Sequence, residues 1–266
     1  MSRRSPIGVF DSGIGGLTVV REIRRALPGE DIVYFGDTAR VPYGNKSKQT
    51  VTRFSVENCE FLLRRGVKLV VVACNTSSSL SLNFLTRCFR VPVIGVIAPG
   101  AKQAALTTRN KKIGVIGTKA TIDSNAYLRE VKRADPAIRC FSKACPLFVP
   151  LVEEGWLDNG ISEKVAGAYL KELSLKSVDT LILGCTHYPL LKNTIQRMMG
   201  RTVRIVDSAE AVAAEVKDTL TKRDILNDTR RKARYRFYVS DDPKGFTKLG
   251  GRFLKMKIKC AMRSSA

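Results

Sequence analysis

The chain has 266 residues, with 46 Lys and Arg against 24 Asp and Glu, and a formal net charge of +22. Its composition is 44% hydrophobic, and no apolar run approaches the roughly 20 residues that cross a bilayer, which excludes a helical membrane protein. Seven cysteines without a CxxC pair, and a single histidine, exclude the usual disulfide frameworks and zinc sites, so no metal is expected.

Short runs rich in Val and Ile alternate with longer amphipathic stretches in the first half of the chain. The strand-like runs are IGVF (7–10), IVYF (32–35), KLVVVA (68–73) and VIGV (93–96). Between the first two, Leu17, Val20, Ile23 and Leu27 recur at helical spacing. This alternation predicts βαβ units in a parallel sheet. The first run follows the charged N-terminus directly, without the apolar region of a secretory signal, so we expect a cytoplasmic protein.

The second half repeats this pattern. Its strand-like runs are KIGVIG (112–117), IRCFSKA (138–144), TLILGC (180–185) and TVRIVD (202–207). VVVACNTSSSL and LILGCTHYPLL match as strand, cysteine, polar pair and helix, and 63 residues separate Asp11 from Cys74 while 68 separate Gly117 from Cys185. We interpret this as a weak internal duplication; the alternative is coincidence among generic α/β strands.

The predicted fold class is therefore α/β, with two pseudo-symmetric parallel-sheet domains and an active site in the cleft between them. We place the first domain at residues 1–98 plus 207–266 and the second at 99–206. After Asp207 the pattern predicts another helix, and RYRFYVSDD and GFTKLGGRFLK then return to the first domain.

Cys74 and Cys185 each end a predicted strand and begin a loop that opens a helix. Backbone N–H groups and the helix dipole at such a position stabilise a thiolate, so we expect a lowered thiol pKa. The other cysteines are interpreted mostly as small buried apolar residues. A structural role is the alternative for any one strand-end cysteine, but a symmetric pair favours function.

Asp11 lies at a strand end in FDSGIGG (10–16), which resembles a dinucleotide-binding loop. Position 18 is Thr18 where the third glycine belongs, and a carboxylate would repel a pyrophosphate, so this interpretation fits poorly. A carboxylate beside a cleft suits an amine or a proton-carrying thiol better. The alternative is a helix N-cap or turn residue.

His187, the single histidine, follows Cys185 by two residues. A Cys–His nucleophilic pair is possible, although residues at this spacing rarely face each other. A structural histidine in an apolar surround is the other interpretation.

Six segments together resemble one known family, the cofactor-independent glutamate racemases. They are GVFDSGIGGLTV, YFGDTARVPYGNKS, VVACNTSS, GVIGTKATI, LVEEG and LGCTHYPLL, in family order over nearly the whole chain. The resemblance implies inversion at the α-carbon of glutamate by two cysteines, with no cofactor and no metal, to supply D-glutamate for peptidoglycan. Inversion needs a proton to leave one face of the carbon and another to reach the opposite face, which two acid–base groups provide.

The resemblance implies that Cys74 and Cys185 are the two bases, that Asp11 assists Cys74, and that Glu153 and His187 lie near Cys185. It implies substrate contacts at Asp11, Ser12, Tyr43, Gly44, Asn75, Thr76, Thr186 and His187, with Thr118 and Thr121 as further candidates.

Simpler interpretations stay open for several of these residues. Tyr43 and Gly44 could be turn residues after Pro42, and Glu153 could be a solvated helix acid. The alternative substrates are aspartate or another amino acid. From a different class comes a basic protein that binds nucleic acid or modulates DNA gyrase, although no stacking motif supports it. We expect glutamate as the substrate, a homodimer, and no membrane partner.

Overall fold

The computed structural model describes residues 2–229 and 232–266. In these residues the chain forms two parallel β-sheets with helices packed on them. The first sheet contains β1 (Ile7–Asp11), β2 (Ile32–Gly36), β3 (Leu69–Val72), β4 (Val93–Gly95), β9 (Tyr235–Val239) and β10 (Met262–Arg263). The second contains β5 (Lys112–Gly117), β6 (Arg139–Ala144), β7 (Thr180–Gly184) and β8 (Arg204–Val206).

The helices of the first part are α1 (Leu17–Ala26), α2 (Lys48–Leu63), α3 (Asn75–Cys88) and α4 (Ile97–Thr107). Those that follow are α5 (Lys119–Asp123), α6 (Ala126–Ala134), α7 (Phe148–Glu153), α8 (Gly160–Leu175), α9 (Lys192–Met199), α10 (Ser208–Lys222) and α11 (Pro243–Leu254). Short 3-10 turns cover Tyr43–Asn45 and Tyr188–Leu191.

The two sheets share one strand order, which agrees with the predicted duplication. The first runs β10-β9-β2-β1-β3-β4 and the second β6-β5-β7-β8, so β1 and β5 occupy equivalent central places, as do β3 and β7. All paired strands are parallel. Ligands bind at the carboxyl ends of strands in such sheets, and both cysteines follow β3 and β7 there. The α/β class with two parallel-sheet regions is confirmed.

The predicted strands are found within one or two residues of their expected bounds. The main differences are at their ends: β3 stops at Val72 and β7 at Gly184, so the cysteines lie beyond the strands. Helix α1 buries Leu17, Val20 and Ile23 against the sheet, as their spacing predicted.

The C-terminal segment returns to the first sheet. Strand β9 pairs with β2, and α11 packs against α1. The division of the chain into two domains at residues 98 and 207 stays a prediction. Within residues 2–229 and 232–266, no helix is both long and apolar enough to cross a membrane.

Candidate active site

Cys74 is the N-cap residue of α3, with its side chain buried. Its Sγ lies 3.6 Å from Ser12 Oγ, to which the thiol donates. The backbone N–H and the hydroxyl of Ser77 lie close enough to the sulfur to lower the pKa of the thiol. The N-terminus of a 14-residue helix and the end of β1 therefore hold this thiol in one place.

The expectation of a lowered pKa is wrong for Cys74. Burial raises the pKa of the Cys74 thiol to about 11, and the nearby charge of Asp11 adds to this effect. The polar groups of Ser77 and Ser12 lower it by less. Loss of hydration outweighs the N–H groups of the helix, so Cys74 holds its proton at neutral pH.

Cys185 lies in the irregular segment between β7 and the 3-10 turn that begins at Tyr188. Here the spacing rules of regular elements do not apply, and the side chain of His187 hydrogen-bonds to Cys185 despite its i+2 position. His187 Nε2 also lies 3.1 Å from Glu153 Oε1, at the end of α7. Glu153, His187 and Cys185 therefore form a row of interacting groups, from a partly exposed carboxylate through the imidazole to a buried thiol.

His187 carries a proton over a wide pH range in this arrangement. Burial lowers its pKa, but the hydrogen bonds to Cys185 and Glu153 and their negative charges raise it further, to about 10. An imidazolium hydrogen-bonded to a sulfur atom stabilises negative charge on that sulfur. Glu153 is thus more than a solvated helix acid.

Asp11 is fully buried at the end of β1. Its Oδ2 accepts the Gly13 N–H at 3.0 Å, and its Oδ1 accepts the Thr186 hydroxyl at 3.4 Å. Burial raises the pKa of Asp11, partly offset by the charge of His187 and by N–H donors. It is not the N-cap of α1, which is Gly16, so the N-cap alternative does not hold.

Polar contacts join the two halves around the cysteines. Thr76 Oγ1 lies 3.0 Å from Thr118 Oγ1 and 3.4 Å from Thr121 Oγ1. The Tyr127 hydroxyl donates to Asn75 Oδ1 at 2.7 Å. These bonds connect the start of α3 in the first half with α5 and α6 in the second.

Thr76→Val should weaken this connection, because it removes the hydroxyl that bonds to Thr118 and Thr121 but keeps the volume. Those two hydroxyls still bond to each other at 3.0 Å. We expect a loss of about 1 kcal/mol in the free energy of unfolding, measured by urea denaturation. Thr86→Val, at an exposed position on the same helix, should change it by less than about 0.5 kcal/mol. Equal effects for the two variants would contradict this role of Thr76.

Tyr43 and Gly44 follow Pro42 in a 3-10 turn, as the turn interpretation proposed, and they also line the site. The Tyr43 hydroxyl donates to Asp37 and accepts from Asn58 Nδ2. A Cβ on Gly44 would lie 2.6 Å from Thr118 Cβ, so only glycine allows this close approach. Their substrate contacts stay a prediction.

One cavity brings most of the predicted residues together. It is lined by Ser12, Val41, Pro42, Tyr43, Gly44, Cys74, Asn75, Thr76, Thr118, Val149, Cys185, Thr186 and His187. Its volume is about 20 Å³, room for about one water molecule. An amino acid is several times larger, so binding one requires the walls to move apart. Asp11, Thr121 and Glu153 lie behind this lining, each bonded to a residue in it.

Several residues near the cysteines were missed from the sequence. Phe253 of α11 packs edge-on against His187, with ring centroids 5.5 Å apart, and the Tyr34 hydroxyl donates to Gly13 O at 2.8 Å. Phe253 has no local motif, because its distance from the cysteines in sequence is closed only by the fold. Tyr34 had a usable signal, since it is the first residue of the segment YFGDTARVPYGNKS. Ser77 had a usable signal, since the third residue of a helix lies beside the side chain of its N-cap residue.

The remaining cysteines only partly fit the interpretation as buried apolar residues. Cys59 and Cys145 are buried, but Cys88 and Cys260 are exposed, at the end of α3 and near the C-terminus. Among the described residues, no three His, Cys, Asp or Glu side chains lie close enough to hold a metal ion.

Thiol labelling should distinguish these groups. We expect a disulfide reagent to modify Cys88 and Cys260 first, because reactivity needs exposure as well as ionisation. Cys74 and Cys185 should stay unmodified in this phase, and the double variant Cys88→Ala/Cys260→Ala should lose the fast phase of labelling alone. Labelling of Cys74 or Cys185 by the first two equivalents of reagent would contradict the assignment.

The fold and the site together define an α/β protein in which titratable side chains from two parallel sheets line one cavity. Residues 7–216 match the model of the Asp/Glu/Hydantoin racemase family, and the chain belongs to this family. It is 52% identical over 252 residues to the glutamate racemase of Geobacter metallireducens, covering 95% of this chain and 93% of the relative.

Comparison with solved structures points to the same family. The glutamate racemase of Francisella tularensis in complex with D-glutamate superposes with a TM-score of 0.93 at 39% identity, over 99% of this chain and 98% of the other. A glutamate racemase isoform of Bacillus anthracis gives a TM-score of 0.95 at 41% identity, with the same coverage. The recognised family is confirmed.

Proposed function

We propose that the protein is a glutamate racemase that interconverts L- and D-glutamate with Cys74 and Cys185 as its two bases. The observation that carries the proposal is that the two thiols, from equivalent places in the two sheets, line one cavity. The relatives named above are glutamate racemases, and that of Francisella tularensis binds D-glutamate. We further propose a role in supplying D-glutamate for peptidoglycan.

The proposed chemistry is a proton transfer across the α-carbon. One cysteine, as thiolate, removes the α-proton from one face, leaving a carbanion, and the other, as thiol, delivers a proton to the opposite face. The sulfur charges are exchanged, so atoms and charge balance without an oxidant. The raised pKa of Cys74 keeps it as the thiol at neutral pH, and protonated His187 stabilises the opposite role for Cys185.

Polar groups around the cavity suit the charges of an amino acid. The first N–H groups of α3 and the side chains of Asn75 and Thr76 are donors for a carboxylate. Asp11, with its bonded partner Thr186, is the carboxylate in our proposal for the ammonium group. An ammonium near Asp11 would also offset the charge that raises the pKa of Cys74.

The test is polarimetry or circular dichroism of pure L-glutamate and pure D-glutamate with the protein and no added cofactor. We expect both to approach the racemic mixture at constant glutamate concentration. Aspartate and other amino acids in parallel test the substrate. Faster racemisation of aspartate would overturn the substrate assignment, and no racemisation of any amino acid would overturn the proposed function. The homodimer is a separate proposal, tested by sedimentation.

A further inference from the structure

Part of the excess of positive charge gathers in a groove away from Cys74 and Cys185. The groove lies between α1, the start of β9 and the segment after α11, and has a volume of about 1470 Å³. None of the residues that line it also lines the cavity of the candidate active site. Sites for single small molecules have about 300–1,000 Å³, so this groove suits a chain-like ligand.

The walls of the groove are cationic. Lys255, Lys257 and Lys259 come from the segment after α11, while Arg24 comes from α1 and Arg236 from β9. Among residues 2–229 and 232–266, none of these five forms an ion pair with an acid.

The two acids of the groove are already neutralised. Glu22 pairs with Arg21 and Arg25, and Glu210 pairs with Arg25. The uncompensated charge therefore belongs to these five cations and to Lys232, which also lines the groove, and it attracts a polyanion.

The floor of the groove is apolar. Met256 and Ile258 alternate with the exposed lysines and point inward, half-buried and buried. Tyr235 is half-buried among them; burial raises the pKa of its hydroxyl, and the nearby charge of Arg24 offsets part of that rise. A ligand that fits both surfaces has anionic groups at its edge and flat apolar groups between them. The Asp and Glu residues of an acidic polypeptide supply charge without flat groups, and a membrane surface does not enter a concave groove.

We propose that this groove binds single-stranded nucleic acid. Its phosphates would pair with Lys255, Lys257, Lys259 and the two arginines, whose planar guanidinium groups match phosphate oxygens. A base would stack on Tyr235, as aromatic side chains do in proteins that bind single strands. This binding is independent of racemisation, because the groove and the candidate active site are separate.

The test is fluorescence anisotropy of a labelled oligothymidylate of about 15 nucleotides with the full chain, between about 50 and 200 mM salt. We expect Lys255→Ala/Lys257→Ala/Lys259→Ala to weaken binding at least about tenfold and to reduce the slope of log affinity against log salt by about 2. Tyr235→Leu should weaken binding at least about threefold without changing the slope. Both variants should retain glutamate racemisation.

The matched control removes the same charge elsewhere. Lys102, Lys164 and Lys171 are exposed and lie outside the groove, so their triple alanine variant should bind within about twofold of the wild type. An equal loss of affinity in the two triple variants would overturn the site, because the overall positive charge of the protein, rather than this groove, would then attract the oligonucleotide. Unchanged affinity in Tyr235→Leu, or displacement by poly-glutamate as effective per charge as by unlabelled oligonucleotide, would overturn the nucleic-acid assignment.

Discussion

Cys185→Ser is expected to lower the rate of glutamate racemisation by about a thousandfold in both directions, and Cys74→Ser should do the same. A serine hydroxyl keeps nearly the shape of the thiol but is a far weaker acid, so it neither removes the α-proton nor returns one at neutral pH. Because each turnover needs both groups, the loss of either one blocks both directions. The rate is measured polarimetrically from each pure enantiomer.

Hydrogen exchange distinguishes the two positions. In D₂O, each single-serine variant should still exchange the α-hydrogen of the one enantiomer that faces its remaining cysteine, and the two variants should show opposite preferences. Cys145→Ser is the matched control: it is a buried cysteine near Cys185 that does not line the cavity, and it should keep racemisation. A single-serine variant at either position with near-normal rates in both directions would overturn the two-base assignment.

Glu153→Gln should make the rate of racemisation depend on pH below about 10, where His187 keeps its proton in the wild type. Without the Glu153 charge, the pKa of His187 falls below its value of about 10, because one of the two groups that raise it is lost while burial still lowers it. His187 then loses its proton at a lower pH than in the wild type, and the support for negative charge on Cys185 disappears with it. We expect kcat/KM to be about tenfold lower at pH 8.5 than in the wild type, and less affected at pH 6.

The full profile from pH 6 to 10 with both enantiomers is the measurement. Glu154→Gln removes the same charge from the next residue, which is exposed and has no contact with His187, and its profile should match the wild type. A Glu153→Gln profile parallel to the wild type at every pH would show that Glu153 does not act through His187. Loss of racemisation at all pH values would point to a structural role instead.

Much of the fold could be predicted from the sequence because its signals are local. Runs of Val and Ile marked the strands, and the spacing of Leu17, Val20 and Ile23 marked the buried face of α1. The repeated pattern around the two cysteines also indicated one shared site. In each parallel sheet the carboxyl ends of the strands lie at one edge, where ligands bind, and the two cysteines follow equivalent strands of the two sheets.

What the sequence did not predict depends on the environment. The helix N-terminus at Cys74 favoured a lowered pKa, but the pKa depends on burial and on Asp11, which are set by the assembled fold. The bond between Cys185 and His187 depends on an irregular turn rather than on regular spacing. Phe253 reaches His187 from a helix 66 residues further along the chain, a distance that no local pattern reveals.

The narrow cavity has a consequence for successive turnovers. Under the two-thiol mechanism, each reaction leaves Cys74 and Cys185 with exchanged protonation, so the enzyme that releases D-glutamate is ready to accept D-glutamate rather than L-glutamate. A space for about one water molecule gives the thiols little contact with bulk solvent while the walls are closed. Opening of the cleft would then do more than admit substrate: it would let solvent restore the starting protonation. At high substrate concentration this exchange of protons with solvent, rather than the proton transfer at carbon, would limit the net conversion of one enantiomer into the other. The protonation of the two thiols would then depend on which enantiomer the protein last released.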